Sequence, residues 1–243
     1  MPTRPQYLPL RTAALIAGLA LLGSVVAAPF AEMYVFPKLI IPYKAAETAR
    51  NILAHQGLFT AGLLAYFLTF LLDIVIAWAL YHLLRSVHPP LAQFTAWLKL
   101  AYSLLALVAL NQLVTALRLL TTPDYLALFP QAQVQALAMV HLRAFKNHWY
   151  FGLIVFALHL VLLGYLVFRS GYIPRVFGVL LVITGLGYLL TAVRPYLFPE
   201  LNVDFAMYTF YGEPLFMLWL LIRGNKFREE VQPAPADFTP HHA

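Results

Sequence analysis

Six stretches of this chain, residues 12–35, 58–86, 91–120, 149–169, 174–197 and 205–222, are long, apolar and nearly free of charge. Each is long enough to cross a bilayer, because a hydrocarbon core of ~30 Å needs ~20 helical residues. In lipid the backbone must satisfy its own hydrogen bonds, so only helices or closed barrels span it. The pattern predicts an all-α integral membrane bundle of six transmembrane helices in a lipid bilayer. Composition agrees: 62% of residues are hydrophobic and 11% charged, against about 25% charged in ordinary soluble domains. A soluble core built from such a chain would leave too little polar surface to face water.

The 243 residues hold six spans, their connections and little else. One transmembrane domain is expected over 1–228, followed by a proline-rich, polar cytoplasmic tail over 229–243 that is expected to be disordered. His241 and His242 belong to that tail and are not read as a metal site. The absence of cysteine excludes a disulfide framework, a thiolate metal site and a thiol nucleophile. The formal charge of +6 is read as serving orientation and lipid headgroups rather than nucleic acid.

The N-terminus resembles a secretory signal, with Arg4 and Arg11 ahead of an apolar run and Val26-Ala27-Ala28 like a cleavage site. Pro29 after that site and the length of the run point instead to a retained first span. Placing both termini inside puts Arg4, Arg11, Arg85, Arg169, Arg175, Arg223, Lys226 and Arg228 in the cytoplasm. The outer side then holds Lys38, Lys44, Arg50, Arg118, Arg143, Lys146 and Arg194, so the numbers alone hardly decide. The inner cations crowd short loops, whereas the outer ones share theirs with Glu32, Glu47, Asp124, Glu200 and Asp204. Both termini are therefore expected to be cytoplasmic.

The two long outer connections carry helical periodicity. Ala45, Ala49, Ile52 and Leu53 recur within 43–56, and Val134, Leu137, Ala138 and His141 share a stripe within 131–146. Two short amphipathic interfacial helices are predicted there. No internal repeat emerges, and no span shows the paired Gly/Pro interruptions of a broken helix.

Ionisable groups at bilayer depth are costly and should face the bundle interior. Counting ~1.5 Å per residue from the outer ends puts His159, Glu213 and Asn111 in one layer. Asp73 lies deeper, at the level of Lys99. Two groupings follow: an outer layer of His159, Glu213 and Asn111, and an inner Asp73–Lys99 pair that reads as structural. His148 lies eleven residues before His159, about 20° off its helical face, at the outer mouth of a polar path. Tyr188, Tyr208 and Tyr211 would add hydroxyls near that layer, and Pro214 loosens span six beside Glu213. The plain alternative for His159 and Glu213 is an interhelical hydrogen bond that fixes packing. A zinc site would have to use His159 and Glu213, with Asp73 as the third ligand on offer. No zinc-protease, nucleophile-elbow, Walker or dinucleotide motif is present, so no cofactor and no catalytic residue is named.

Pro37-Lys38-Leu39-Ile40-Ile41-Pro42, followed by Ala45-Ala46-Glu47-Thr48-Ala49-Arg50-Asn51-Ile52-Leu53, resembles a signature of the bacterial membrane family catalogued as domain of unknown function 4386. So do Asp73 within 71–84, the stretch 158–171 around His159, Pro174-Arg175-Val176-Phe177-Gly178-Val179-Leu180-Leu181, and Glu213 through Leu221. The resemblance covers nearly the whole chain. It implies a polytopic protein of the bacterial cytoplasmic membrane with Asp73, His159 and Glu213 on matching positions. Tyr43-Lys44 departs from the Gly-Asp of the family pattern after Pro42, so no acid in that loop is carried over.

The leading functional expectation is a protein that binds or transports a small lipophilic or protonatable ligand. An outward-facing cavity lined by His159, Glu213 and Asn111 would hold it, with Asp73, His148 and Tyr211 as further candidates. The alternatives are an intramembrane enzyme, perhaps metal-assisted and lipid-directed, with Glu213 or His159 as base, and an accessory subunit without a site of its own. Whether the chain acts alone, as a homo-oligomer or within a larger membrane complex is left open.

Overall fold

The computed structural model describes residues 8–224. Arg4, Lys226, Arg228 and the tail 229–243 lie outside the described residues. Helix α1, Leu10–Pro29, runs through a π-helical turn, Phe30–Val35, into α2, Phe36–Leu39. Then follow α3, Ala45–Ala54; α4, Gln56–Leu84; α5, Pro89–Thr121; α6, Pro123–Leu128; α7, Gln131–Arg169; and α8, Arg175–Leu197. A 3-10 turn, Asp204–Thr209, leads into α9, Gly212–Arg223. There is no strand among the described residues.

Six of these runs are long and apolar enough to cross a membrane: Leu10–Leu39, Gln56–Leu84, Pro89–Thr121, Gln131–Arg169, Arg175–Leu197 and Asp204–Arg223. They match the six stretches read from the sequence. Their outer surfaces are apolar, as at Leu64, Phe67, Leu71, Leu104, Val108 and Leu158. Asp73, Lys99 and His159 are buried inside. Apolar outside and polar inside is the arrangement that a lipid solvent selects. The chain is a multi-pass membrane protein.

The spans close into a ring. Each packs on the next in sequence, and α1 packs on α9 to complete the circle. With six spans the first and last end at one side, here the terminal face; the other side is the far face. Where packing is tightest, side chains are small. Gly164 of α7 and Gly178 of α8 face each other so closely that a Cβ on either would sit 2.6 Å from the other's carbonyl oxygen. Along α1, Ala13, Ala14, Ala17 and Gly18 are buried, and Gly18 lies against Leu221 of α9.

Three features depart from the sequence reading. The segment 131–146 is not a separate interfacial helix: it is the start of the 39-residue α7. Its buried positions Val134, Ala138, Leu142 and Phe145 continue into Gly152 and Phe156 without a breaking residue. At ~1.5 Å per residue α7 is roughly 58 Å long, so it projects well beyond the hydrocarbon on the far face. The first span is not a plain helix, because Pro29 is followed by the π turn. The sixth span is also broken: its 3-10 turn stops at Thr209, and α9 restarts at Gly212 just ahead of Pro214.

The chain turns from α2 towards α3 at Tyr43, whose φ is +65°. Glycine takes this left-handed conformation freely, whereas a residue with a Cβ pays roughly 1–2 kcal/mol. Thr48 ties the turn, its hydroxyl accepting from the Ile41 N–H at 2.9 Å and donating to the Ile41 carbonyl at 3.1 Å.

Gly178→Ala is expected to destabilise the bundle by about 1–3 kcal/mol through overpacking, read as a lower unfolding midpoint in detergent. Gly57→Ala, where a Cβ meets nothing within 4 Å, should leave the midpoint unchanged or slightly raised. Equal effects at the two positions would contradict the close α7–α8 contact.

Candidate functional site

Four ionisable side chains from four spans converge at one depth. Asp73 lies eleven residues before the terminal-face end of α4, and Lys99 ten residues after the start of α5. His159 and Glu213 each lie ten residues before the ends of α7 and α9. At ~1.5 Å per residue all four sit about 15 Å from that face, the middle of a core ~30 Å thick. Asp73, Lys99 and His159 occupy the buried stripes of their helices. Asp73 follows Tyr66 and Phe70, and Lys99 lies between Thr95 and Tyr102.

Lys99 Nζ lies 2.8 Å from Asp73 Oδ1, and both side chains are almost fully buried. The ammonium also sits 4.2 Å from the centroid of the Phe156 ring and 5.7 Å from that of Tyr102. Aromatic faces carry negative electrostatic potential, so they solvate a cation that water cannot reach. Phe156 stacks on Tyr102 at 4.7 Å and meets the edge of Tyr188 at 5.2 Å. Tyr188 stacks in turn on Phe210 at 4.3 Å, where span six breaks. The Tyr102 hydroxyl accepts from Trp149 Nε1–H at 3.1 Å.

His159 is not bonded to Glu213. Its Nδ1 lies 2.9 Å from the backbone oxygen of Thr95. A carbonyl can only accept, so Nδ1 carries a proton; in the neutral ring Nε2 is then the nitrogen with the lone pair. Beside His159, between α4, α5 and α7, is a pocket of about 10 Å³ lined also by Ala77, Tyr81, Thr95 and Leu163. That is about the space one water molecule needs.

Glu213 lies in the first turn of α9, where the exposed N–H groups and helix dipole favour a carboxylate. It is half-buried and has no hydrogen-bond or ion-pair partner among the described residues. The charges of Lys99 and Asp73 reach it electrostatically. Thr184 stabilises the break beneath it, donating to the Thr209 carbonyl at 2.6 Å and to Leu180 at 2.9 Å. The cluster therefore holds two carboxyl groups, one ammonium and one histidine.

The sequence-based layering changes accordingly. Asp73 and Lys99 are level with His159 and Glu213 and do not form a separate deeper pair. Asn111 is exposed on α5, its carbonyl oxygen accepting from Thr115 at 3.0 Å. It lies off the buried stripe of Ala109, Leu110 and Leu113 and near the far end of a longer helix than the sequence suggested. His148 is exposed, because its 20° offset from His159 puts it at the rim of the buried arc of α7, uncovered at that level. Tyr211 points out of the bundle, 62% exposed. The expected Asp73–Lys99 pair is present, whereas Tyr102 and Phe156, which flank its ammonium, were missed. Counting depth from the terminal-face ends, which the short loops define more sharply, puts the Asp73–Lys99 pair level with His159 and Glu213.

The larger opening is elsewhere. A cavity of about 680 Å³ at the far face is lined by Glu32, Phe36, Met139, Arg143, Lys146 and Tyr150, among others. His159, Glu213 and Asn111 do not line it. An aromatic column joins the two levels: the Tyr66 hydroxyl donates to Glu32, and its ring packs 5.7 Å from Trp149, the donor to Tyr102. As for metal, no three His, Asp or Glu side chains come together around one point among the described residues. The Lys99 ammonium, 2.8 Å from Asp73, further disfavours a cation at that carboxylate.

The family described as domain of unknown function (DUF4386) matches residues 16–224. An uncharacterised protein of the archaeon Archaeoglobus fulgidus is 33% identical over 171 residues, covering 70% of this chain and 88% of the relative. The family thus extends beyond the bacteria to which the resemblance pointed. No solved structure matches the chain.

Lys99→Met leaves Asp73 as an uncompensated buried charge and is expected to cost about 3–5 kcal/mol. The double variant Asp73→Asn, Lys99→Met should recover most of that loss. Thermal unfolding of the three proteins in one detergent measures it. A double variant as unstable as the single one would show that the pair is not the coupled unit.

Proposed function

The chain belongs to the DUF4386 family, and from that premise we propose that it is a membrane transport protein whose midplane cluster takes up and releases a proton. The transported or bound species is a small lipophilic or protonatable ligand. The observation that carries this reading is the convergence of Asp73, Lys99, His159 and Glu213 from four spans at one depth. Ionisable groups are expensive inside a membrane, and they recur there in ion pathways and proton relays. Two carboxyl groups facing one ammonium leave one acid more than the base can balance. Uptake of a single proton brings the cluster to neutrality.

The parts suit that role. Lys99 and Asp73 hold each other, leaving Glu213 as the carboxyl without a partner. The free lone pair of His159 Nε2, beside a water-sized pocket, can pass a proton on. The break in span six puts the start of a half-helix at the midplane, next to Glu213. Discontinuous helices whose ends meet at a midplane site are a recurring device of secondary transporters. Neutralising Glu213 removes its favourable interaction with the end of α9, so protonation biases the angle at which that half-helix is held.

Infrared difference spectra of the protein in lipid nanodiscs, recorded as pH is changed, should contain the carbonyl band of a protonated carboxylic acid. Glu213→Gln should remove that band. Glu200→Gln, at an exposed loop position, should leave it. Circular dichroism confirms that each variant is folded. A pH-insensitive carboxyl region, or a band that survives both Glu213→Gln and Asp73→Asn, would rule out proton exchange at this cluster.

A further inference from the structure

We propose that the far-face cavity binds a single-chain amphiphile with an anionic headgroup. This site is separate from the midplane cluster, and the inference does not rest on proton exchange there.

Three properties of the cavity define its ligand. The first is position. Counted from Arg169, Tyr150 lies at roughly 29 Å along α7 and Arg143 at roughly 39 Å. A hydrocarbon core of ~30 Å ends between those levels, so the cavity spans the layer where acyl chains give way to headgroups.

The second property is the lining. Phe36, Leu113, Met139, Leu142 and Phe145 form an apolar wall, all of them buried positions of α2, α5 and α7. Its volume of about 680 Å³ lies within the ~300–1,000 Å³ range of small-ligand sites. Its walls come from α5 and α7 and from the π turn, α2 and the loop that follows α2.

The third property is charge. Two cations and one acid line the cavity, Arg143, Lys146 and Glu32. Glu32 is already engaged, accepting from the Tyr66 hydroxyl and lying 3.7 Å from Lys146 Nζ. Arg143 has no carboxylate within ion-pair distance among the described residues. Its guanidinium instead lies 4.4 Å from the centroid of the Tyr43 ring. Stacking on a ring face leaves the in-plane N–H donors free, and that fork matches a carboxylate or phosphate. Tyr43 holds this place with φ +65°, a conformation that costs a residue with a Cβ. Strain of this kind persists where surrounding structure demands it, and it clusters at ligand clamps. Here it sets an aromatic platform under a cation at the cavity mouth. An apolar cavity at headgroup level with net positive charge at its mouth complements an acyl chain that ends in an anion.

The experiment uses the full chain in phosphatidylcholine nanodiscs, titrated with hexadecanoate and, separately, with hexadecan-1-ol, which has the same chain without the charge. Hexadecanoate should bind one per chain, raise the unfolding temperature, and bind about tenfold more tightly than the alcohol, the ratio expected for a charge-assisted hydrogen bond. Arg143→Gln with Lys146→Gln should abolish that preference while the protein without ligand melts unchanged, since both side chains are exposed. Equal binding of acid and alcohol, or a preference retained in the double variant, would overturn the proposal. So would nanodiscs of phosphatidylglycerol that block hexadecanoate, since a bilayer lipid would then be the occupant.

Discussion

A charge at the centre of a bilayer has to be answered from within the protein, and in this bundle the charge that organises the interior is that of Lys99. Water is too far away to solvate it, so Asp73 supplies the counter-charge and the faces of Phe156 and Tyr102 supply the rest of the shell. These partners come from α4, α5 and α7. Satisfying one ammonium therefore sets the rotation and register of three helices together. Phe156 reaches α8 through Tyr188, and Tyr188 reaches the break in span six through Phe210. The pair is not an ornament on a finished scaffold; the interior is arranged around it.

The same aromatic residues run upwards. Trp149 donates to Tyr102 and packs on Tyr66, and Tyr66 donates to Glu32 at the rim of the far-face cavity. The rings are stiff and close-packed, with Tyr66 also stacked on Phe36 and Phe70. A change at the cavity rim would thus meet a rigid column before it met the midplane. Small residues elsewhere play the complementary part. The Gly164–Gly178 contact and the alanine face of α1 let backbones approach, so the ring closes without large side chains at those seams.

Much of the candidate site could be read from residue spacing. Asp73, Lys99 and His159 fall on the buried stripes of their helices, because lipid leaves an ionisable residue nowhere else to go. Asn111 was misplaced for an equally physical reason. An amide costs less than a charge, so its presence in an apolar stretch does not force it inward, and it lies off the stripe of Ala109, Leu110 and Leu113. His148 and Tyr211 were grouped by helical angle or nearness to Glu213. Angle says nothing of whether a neighbour covers that face at that level, and both residues are exposed. The far-face cavity was not legible at all: Glu32, Arg143 and Tyr43 are far apart in sequence and meet only because α7 extends past the membrane alongside the π turn and the α2–α3 loop.

By itself the sequence determined the solvent, the number of spans, the family pattern and which charged residues must face inward. Each of these follows from local composition: ~20 apolar residues span a bilayer in any context, and a charge among them must find shelter. Only the tertiary structure decided which polar groups share a level, that His159 bonds the Thr95 carbonyl instead of Glu213, and that span six restarts at the midplane. Those outcomes depend on how far each helix runs and which neighbour lies against it. Helix length and lateral packing are set by contacts between distant segments, which no single stretch of sequence contains.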